Sequence, residues 1–459
     1  MIKTHQVQCD IAVIGGGPAG LATAITAARE GKKVLLADKN GYLGGNLTIG
    51  LPLLGILDEY GRPCVGGFAM ELVERLQAKG ACYGVRTCPK HNSVANMDAE
   101  AVKLLAFEMC REAGVEVLLH VEVVDAAVAD GRIQNVTLYG KCNRVLVTAG
   151  QFVDCTGDGD LATLAGCSYE LGRGDTQELM PPTVMCTIEG VDDRKLLDYV
   201  QEHPEEMKPM SATIETKPGY DAAYFKADPN YVFVGMTQLW SKLKAQGICP
   251  VDRGNMIVIN GVHQGQMYVN TTRLLDVDGT DIWDLTRGEI EGHLQLGRLV
   301  ETFRTYVPGF ENCYISSIAP SIGIRETRRM KGLSYVTLEE ALAGAVPADS
   351  ICLSGYTIDI HYNNSKGTLF KKLEKPFGIP YGCLVSAELS NLMFAGRCIS
   401  VDDHVVGSVR VMSCCMAMGQ AAGQAASMAV EQGIDPAAVD VSALRQKLLE
   451  GKAILSQEV

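Results

Sequence analysis

Three glycines and one aspartate carry the sharpest chemical signal in this sequence. Gly15, Gly17 and Gly20 stand within Gly15-Gly16-Gly17-Pro18-Ala19-Gly20, and Asp38 follows eighteen positions after the last of them. Each glycine at this spacing does what a side chain would prevent. The first makes a tight turn, the second lets backbone N–H groups approach a phosphate, and the third lets a helix close on a strand. An acid at that distance accepts hydrogen bonds from a ribose hydroxyl. The chemistry is recognition of a dinucleotide, with Pro18 and Ala19 inside the loop and Lys39 beside the acid.

The elements needed to position these residues are in register. Ile11-Ala12-Val13-Ile14 is a short apolar run that predicts a buried parallel strand. An Ala-rich helix is expected from Leu21 to Glu30, ended by Gly31, and Lys33–Ala37 reads as a second strand. The free N–H groups and partial positive charge of the helix N-terminus suit phosphate.

Three further stretches carry a resemblance. Gly44-Gly45-Asn46 follows the second strand. Val153-Asp154-Cys155-Thr156-Gly157-Asp158-Gly159-Asp160 reads as a strand running into a turn. Asn391-Leu392-Met393-Phe394-Ala395-Gly396-Arg397 reads as a late strand. Together with the glycine loop they resemble the superfamily of FAD proteins with a glutathione-reductase-type nucleotide domain. More closely, the chain is similar to the FAD-dependent oxidoreductase family distantly related to fumarate reductase and succinate dehydrogenase flavoproteins. That match rests on the Gly323–Gly332 segment, on Ile379-Pro380-Tyr381-Gly382, and on Gly407-Ser408-Val409-Arg410-Val411-Met412 leading into Met418–Gly423.

The resemblance implies an α/β fold: a Rossmann-type FAD-binding domain made of discontinuous segments, with an inserted α+β substrate or cap domain. The expected division is 1–175 and 345–459 for the FAD-binding domain and 176–344 for the cap. Within the first part, Val115–Val153 alternates apolar and polar residues around Asp130-Gly131 and predicts a small β-meander. Asp284–Tyr306 in the insert predicts a helix stopped by Pro308-Gly309. The implied cofactor contacts are Gly15, Gly17, Pro18, Ala19, Gly20, Asp38, Lys39, Gly44, Gly45, Asn46, Asp158, Gly396, Arg397, Gly407, Arg410, Val411 and Met412. A helix starting near Met412 is expected to aim its N-terminus at the flavin, with Gly407 and Gly419 admitting close backbone approach.

A flavin performs hydride chemistry itself, so the protein must hold the substrate and manage a proton. His404 is a candidate because an imidazole titrates near neutrality and this one follows the flavin-proximal strand. Arg325, with Arg328 and Arg329, offers guanidinium forks for an anionic substrate, and in the fumarate reductase relatives an arginine serves as proton donor. His361, in the Asp359-Ile360-His361-Tyr362 stretch, is a third candidate. The expected reaction moves a hydride between flavin and a small polar substrate, anionic ones included, with an external electron donor or acceptor. An electron-transfer flavoprotein subunit of a larger complex is the alternative.

Several classes are excluded. A net charge of −13 argues against nucleic acid, which needs clustered Lys and Arg. The sixteen cysteines include no C-x-x-C pair, so no metal or iron–sulfur site is expected, and free buried thiols are the reading. Gly44-Gly45-Asn46 is not followed by the spaced cysteine pair of disulfide reductases, and there is no second G-x-G-x-x-G. With no histidine beside Gly45, non-covalent FAD is expected. The uncharged stretch Val411–Val430 contains Ser413, Gln420, Gln424 and Ser427, so a buried helix is expected rather than a transmembrane segment. The absence of an apolar leader points to a cytoplasmic protein; oligomeric state is open, a homo-oligomer included.

Overall fold

Residues 2–209, 211, 213–363 and 367–457 are described by the computed structural model. The chain opens on β1 (Lys3–Ile14), exposed at its start and buried over Ile11–Ile14. Helix α1 (Pro18–Arg29) follows, with Pro18 at its first turn, where the missing N–H has no partner to lose. Next come β2 (Val34–Asp38), β3 (Glu116–Leu119), β4 (Glu122–Ala129), β5 (Arg132–Gly140) and the long β6 (Asn143–Asp154). The expected meander is β4-β5-β6, joined by antiparallel pairing, whereas β3 leaves it to pair with β2 in parallel.

These strands form one sheet in the order β3-β2-β1-β6-β5-β4. Parallel pairing sets Ile14 against Ala37 on one side and Asp154 on the other. A late strand, β14 in chain order (Leu392–Phe394), pairs with β6 so that Phe394 also faces Asp154. The carboxyl ends of four parallel strands therefore lie level, and such an edge is where α/β sheets open a ligand crevice.

The intervening chain builds a second sheet from β7 (Cys186–Glu189), β8 (Val232–Gly235), β9 (Met256–Asn260), β10 (Met267–Val269) and β11 (Tyr314–Ile318). Its order is β8-β9-β10-β7-β11 and every pair is antiparallel. Between β10 and β11 runs α2 (Ile282–Tyr306). It starts two residues before the sequence expectation because the Asp281 carboxylate caps the N–H groups of Trp283 and Asp284, at 2.8 and 3.0 Å. One apolar core gathers residues from the first 180 and from 330 onward, and the other is built largely from 184–322.

A small hairpin, β12 (Ile358–His361) with β13 (Thr368–Lys371), precedes β14. The last long element, α3 (Met412–Gln432), is buried over Met412–Ala429. It crosses α1 at backbone contact. A Cβ on Gly419 would lie 2.2 Å from Ala19 O, and Thr23 Oγ1 donates to Gly419 O at 3.1 Å. Gly419, assigned above to cofactor approach, instead admits one helix against another. Among the described residues no helix is long and apolar enough to cross a membrane. Of the sixteen cysteines, all unpaired, Cys142 alone is exposed and Cys249 half-buried.

Candidate active site

A cavity of about 300 Å³ opens at the level strand ends. The nucleotide side supplies Gly17, Pro18, Ala19, Gly45, Asn46, Gly396, Arg397, Arg410, Val411 and Met412 to its lining, and the insert supplies Thr183, Met185, Asn270, Ile324 and Arg325. Tyr356, Asp359 and His361 close it from the β12 side.

The glycine loop is built as its spacing requires. Gly15 sits at φ +102, and a Cβ there would meet Cys155 O at 2.4 Å. A Cβ on Gly20 would lie 1.7 Å from Gly15 O, so the turn and the start of α1 pack backbone on backbone. Gly17 differs, with nothing within 4 Å of its Cβ position. It is the N-cap of α1 with no side chain capping the helix, which leaves amide donors facing open space. Asp38 Oδ2 accepts the Gly16 N–H at 2.6 Å, and Oδ1 accepts the Asn40 N–H at 2.7 Å. Lys39 is exposed beside it. Gly44 N–H donates to Gly16 O at 2.7 Å and brings Gly45 against Gly17.

The second and third segments return to the same edge. Asp154 is fully buried and accepts from Thr156 N–H, Thr156 Oγ1 and Ala162 N–H, holding the turn after β6 in place. Burial pushes its carboxyl up to about 6, against those donors. Asp158 accepts from Arg397 at 2.6 Å and Thr327 Oγ1 at 2.5 Å. It thus fixes Arg397, whose Nη1 is buried without a partner among the described residues. The uncapped N-terminus of α3, at Val411 and Met412, faces the cavity. An open Gly17, uncapped helix starts, an acid at the end of β2 and an unsatisfied guanidinium together fit a dinucleotide, whose phosphates the glycine loop and α1 would hold.

The proton and substrate candidates separate. His361 and Arg325 line the cavity. His361 Nε2 stands 3.2 Å from Asp359 Oδ1, and Asp359 Oδ2 accepts from Arg410 at 3.0 Å. Burial would raise the Asp359 carboxyl, yet His361, Arg410 and Arg325 hold it well below the usual carboxylate range. Burial pushes the imidazole down to about 3, with Asp359 opposing and Arg325 adding to the effect. The pair is therefore an ionised carboxylate and a neutral imidazole at neutral pH.

His404, expected beside the flavin, does not line the cavity. It is half-buried in a turn where its backbone N–H donates to Asp402 at 2.8 Å and its ring Nδ1 meets the Asp403 carboxylate. That hydrogen bond raises its proton affinity. Asp402, Asp403 and His404 bring three ligand-type atoms within 4.8 Å of one another, but these groups already serve each other and the Gly174 N–H. Arg328 is likewise spent elsewhere, on Asp160 at 2.9 Å and Asp158 O at 3.1 Å. Arg329 donates to Val401 O and Gly172 O. Gly407 packs against the Asp359 backbone, which a Cβ would meet at 2.8 Å.

Sequence reasoning passed over Thr183, Asn270, Tyr356 and the role of Asp359. Thr183 follows Pro181-Pro182 and Asn270 ends a strand-like run, but neither residue type at those places signals a site.

The glycine loop and the level ends of the parallel strands define a dinucleotide-binding crevice, which polar groups beside a second sheet, Thr183 and Asn270, also line. Residues 10–448 match the family described as FAD dependent oxidoreductase, and the chain belongs to that family. Curated relatives match over short stretches. An NADH oxidase of Thermoanaerobacter brockii is 50% identical over 48 residues, 10% of this chain and 7% of the relative. A cinnamate reductase of Clostridium sporogenes is 48% identical over 48 residues, again 10% and 7%. A thiamine thiazole synthase of Thermococcus kodakarensis is 26% identical over 134 residues, 29% of this chain and 48% of the relative. The chain thus spans less than half the length of each of these relatives. A solved geranylgeranyl bacteriochlorophyll reductase-like protein of Thermoplasma acidophilum shares the fold, with TM-score 0.50, 13% identity, and coverage of 98% of this chain and 85% of that one.

Proposed function

We propose that this enzyme exchanges a hydride between FAD and a small polar organic substrate bound where the insert meets the nucleotide domain, with electrons passing to or from an external partner. The observation that carries the reading is the shared cavity, in which Arg325, Asp359 and His361 stand with the flavin-side residues Arg410, Val411 and Met412. When bound, FAD supplies acceptance or donation of the hydride. The substrate would occupy the part of the cavity lined by Arg325, Asp359 and His361.

The chain's own residues divide the remaining tasks. Arg325 and Arg410 hold the substrate and Asp359 fixes the His361 ring through Nε2. The other ring nitrogen, Nδ1, 3.4 Å from Thr368 Oγ1, is where a proton is taken or returned. Apolar Met185 and Ile324 exclude water from one wall. An electron-transfer subunit with no organic substrate would have no use for this buried polar set, and the enzyme reading is favoured for that reason. The external partner follows from a sequence with one glycine-motif nucleotide unit and no redox cysteine pair.

The test is anaerobic mixing of the yellow protein with panels of hydroxy acids, amines, sugars and enoates, followed at the flavin absorbance. Bleaching by one class supports an oxidative direction. Reoxidation of dithionite-reduced protein by an enoate supports the reductive one. Yellow protein whose flavin responds to none of these classes would overturn the proposal.

A further inference from the structure

Three guanidiniums, those of Arg410, Arg253 and Arg273, and one carboxylate, Asp359, act electrostatically on Arg325 at the β12 side of the cavity. Arg325 and Arg410 line it. Arg253 and Arg273 stand behind and act electrostatically on Arg325. Arg253, buried, donates to Asn270 O and Thr272 O at 3.3 and 3.4 Å, Arg273 donates to Tyr362 O, and Arg325 to Pro181 O. Carbonyl oxygens satisfy donors but leave the charge standing. Of the other carboxylates near this group, Asp252 pairs with Lys244 at 2.7 Å and also acts on Arg273, and Glu326 pairs with Arg173 at 2.9 Å and also acts on Arg410, but neither lines the cavity. Asp359, the acid on the cavity lining, is already shared between Arg410 and His361.

Burial and the neighbouring guanidiniums push the proton affinity of Arg325 well down. A guanidinium stays protonated even so, and an uncompensated buried charge is expensive. The Nε atoms of Arg410 and Arg273 are also buried without a partner among the described residues. The glycine loop and α1 would hold the cofactor's phosphates, away from this arginine group.

We infer that the substrate is an organic carboxylate whose acid group is received by Arg325 and Arg410, with Arg253 and Arg273 deepening the positive field. This rests on the hydride-exchange reading above and names the substrate class for that site. A carboxylate suits the planar guanidinium fork. A phosphate dianion fits less well, because Asp359 lies 3.0 Å from Arg410 and would repel its second charge. The same anion would offset the part that Arg325 and Arg253 add to burial in keeping His361 neutral, and so raise its capacity to take a proton.

The experiment titrates the yellow holoprotein with benzoate, succinate, inorganic phosphate and the uncharged benzamide and succinamide, reading the flavin difference spectrum. Saturable perturbation by at least one carboxylate, ten-fold or more tighter than by its amide, is expected. Arg325→Met should weaken that carboxylate ten-fold or more while flavin content and the amide response hold, and Arg325→Lys should recover part of the loss. Amides binding as well as acids, phosphate binding more tightly than both carboxylates, no perturbation by either carboxylate, or an unaltered titration in Arg325→Met would each overturn the inference. The comparison of acid with amide needs no variant and stands if the variant misfolds. Failure here with a yellow protein that still bleaches with an uncharged substrate would leave the hydride-exchange proposal intact.

Discussion

Substituting alanine at two glycines of one loop separates the structural from the ligand-facing demand on the backbone. Gly17 has an extended backbone, φ −72 and ψ −168, which any residue adopts, and nothing lies within 4 Å of its Cβ position. Gly17→Ala therefore meets no protein atom. Alanine in place of glycine gains about 0.4–1 kcal/mol through the unfolded chain where the conformation is compatible. It loses a comparable amount, about 0.5–1 kcal/mol, as a poorer N-cap. The apoprotein should thus be as stable as the wild type to within about 0.5 kcal/mol. The methyl group does occupy the open space in front of the α1 amides. Loss of a hydrogen bond to a charged oxygen there costs about 1.5–3 kcal/mol, or roughly ten- to 150-fold in FAD affinity. Gly20→Ala is the contrast. Its Cβ would stand 1.7 Å from Gly15 O, so α1 must move off β1. Overpacking of this kind costs about 1–3 kcal/mol. Urea unfolding of deflavinated protein and fluorescence titration with FAD measure the two quantities. If Gly17→Ala bound FAD within two-fold of wild type, or its apoprotein fell as far in stability as Gly20→Ala, the assignment of Gly17 to the phosphates would be wrong.

Four further outcomes are expected. His361→Ala should lower kcat by about 100-fold or more, the usual size of a proton-transfer contribution, while His404→Ala should change it by less than about three-fold on the same scale; the reverse pattern in steady-state kinetics would return the proton role to His404. Because Asp154 is buried and its carboxyl stands at about 6 rather than 3.8, its contribution is fully present below pH 3.8 and is lost as pH rises through 6. That loss is worth about 3 kcal/mol, and the stability gap between wild type and Asp154→Asn should be more favourable to wild type at pH 4.5 than at pH 7.5 in urea melts. Native protein should show one fast thiol with Ellman's reagent, abolished in Cys142→Ser, since the other cysteines are at least partly buried; three or more fast thiols would contradict the packing. Asp359→Asn should release Arg410 and raise the field on the substrate, tightening benzoate binding to the holoprotein while kcat falls; unaltered binding and kcat would deny the pair its role.

Much of the nucleotide half was legible because local rules set it. A buried β-run, a glycine loop, Pro18 and an acid at the end of the next strand sit within thirty residues, and each is required by backbone geometry or phosphate chemistry at that place. The late segments were legible through resemblance, and Arg397, Arg410, Val411 and Met412 line the cavity. Helix α2 was legible from its apolar spacing.

The sequence by itself determined the cofactor loop, the fold class and the family, because those follow from neighbours in the chain. Only the tertiary structure decided which charged side chains line the cavity. Arg325, Arg328 and Arg329 are near-identical in sequence, yet the short strand at 328–330 sends two of them to Asp160, Val401 and Gly172 and leaves Arg325 at the cavity. His404 follows the flavin-proximal strand but is drawn aside by its own two aspartates, whereas His361 reaches the cavity on a hairpin whose path no local pattern announces. Arg253 and Arg273 carry no signal at all in the sequence. Electrostatic fields act through space, so Arg253, Arg273, Arg410 and Asp359, on separate segments, act on Arg325 only once the chain has folded.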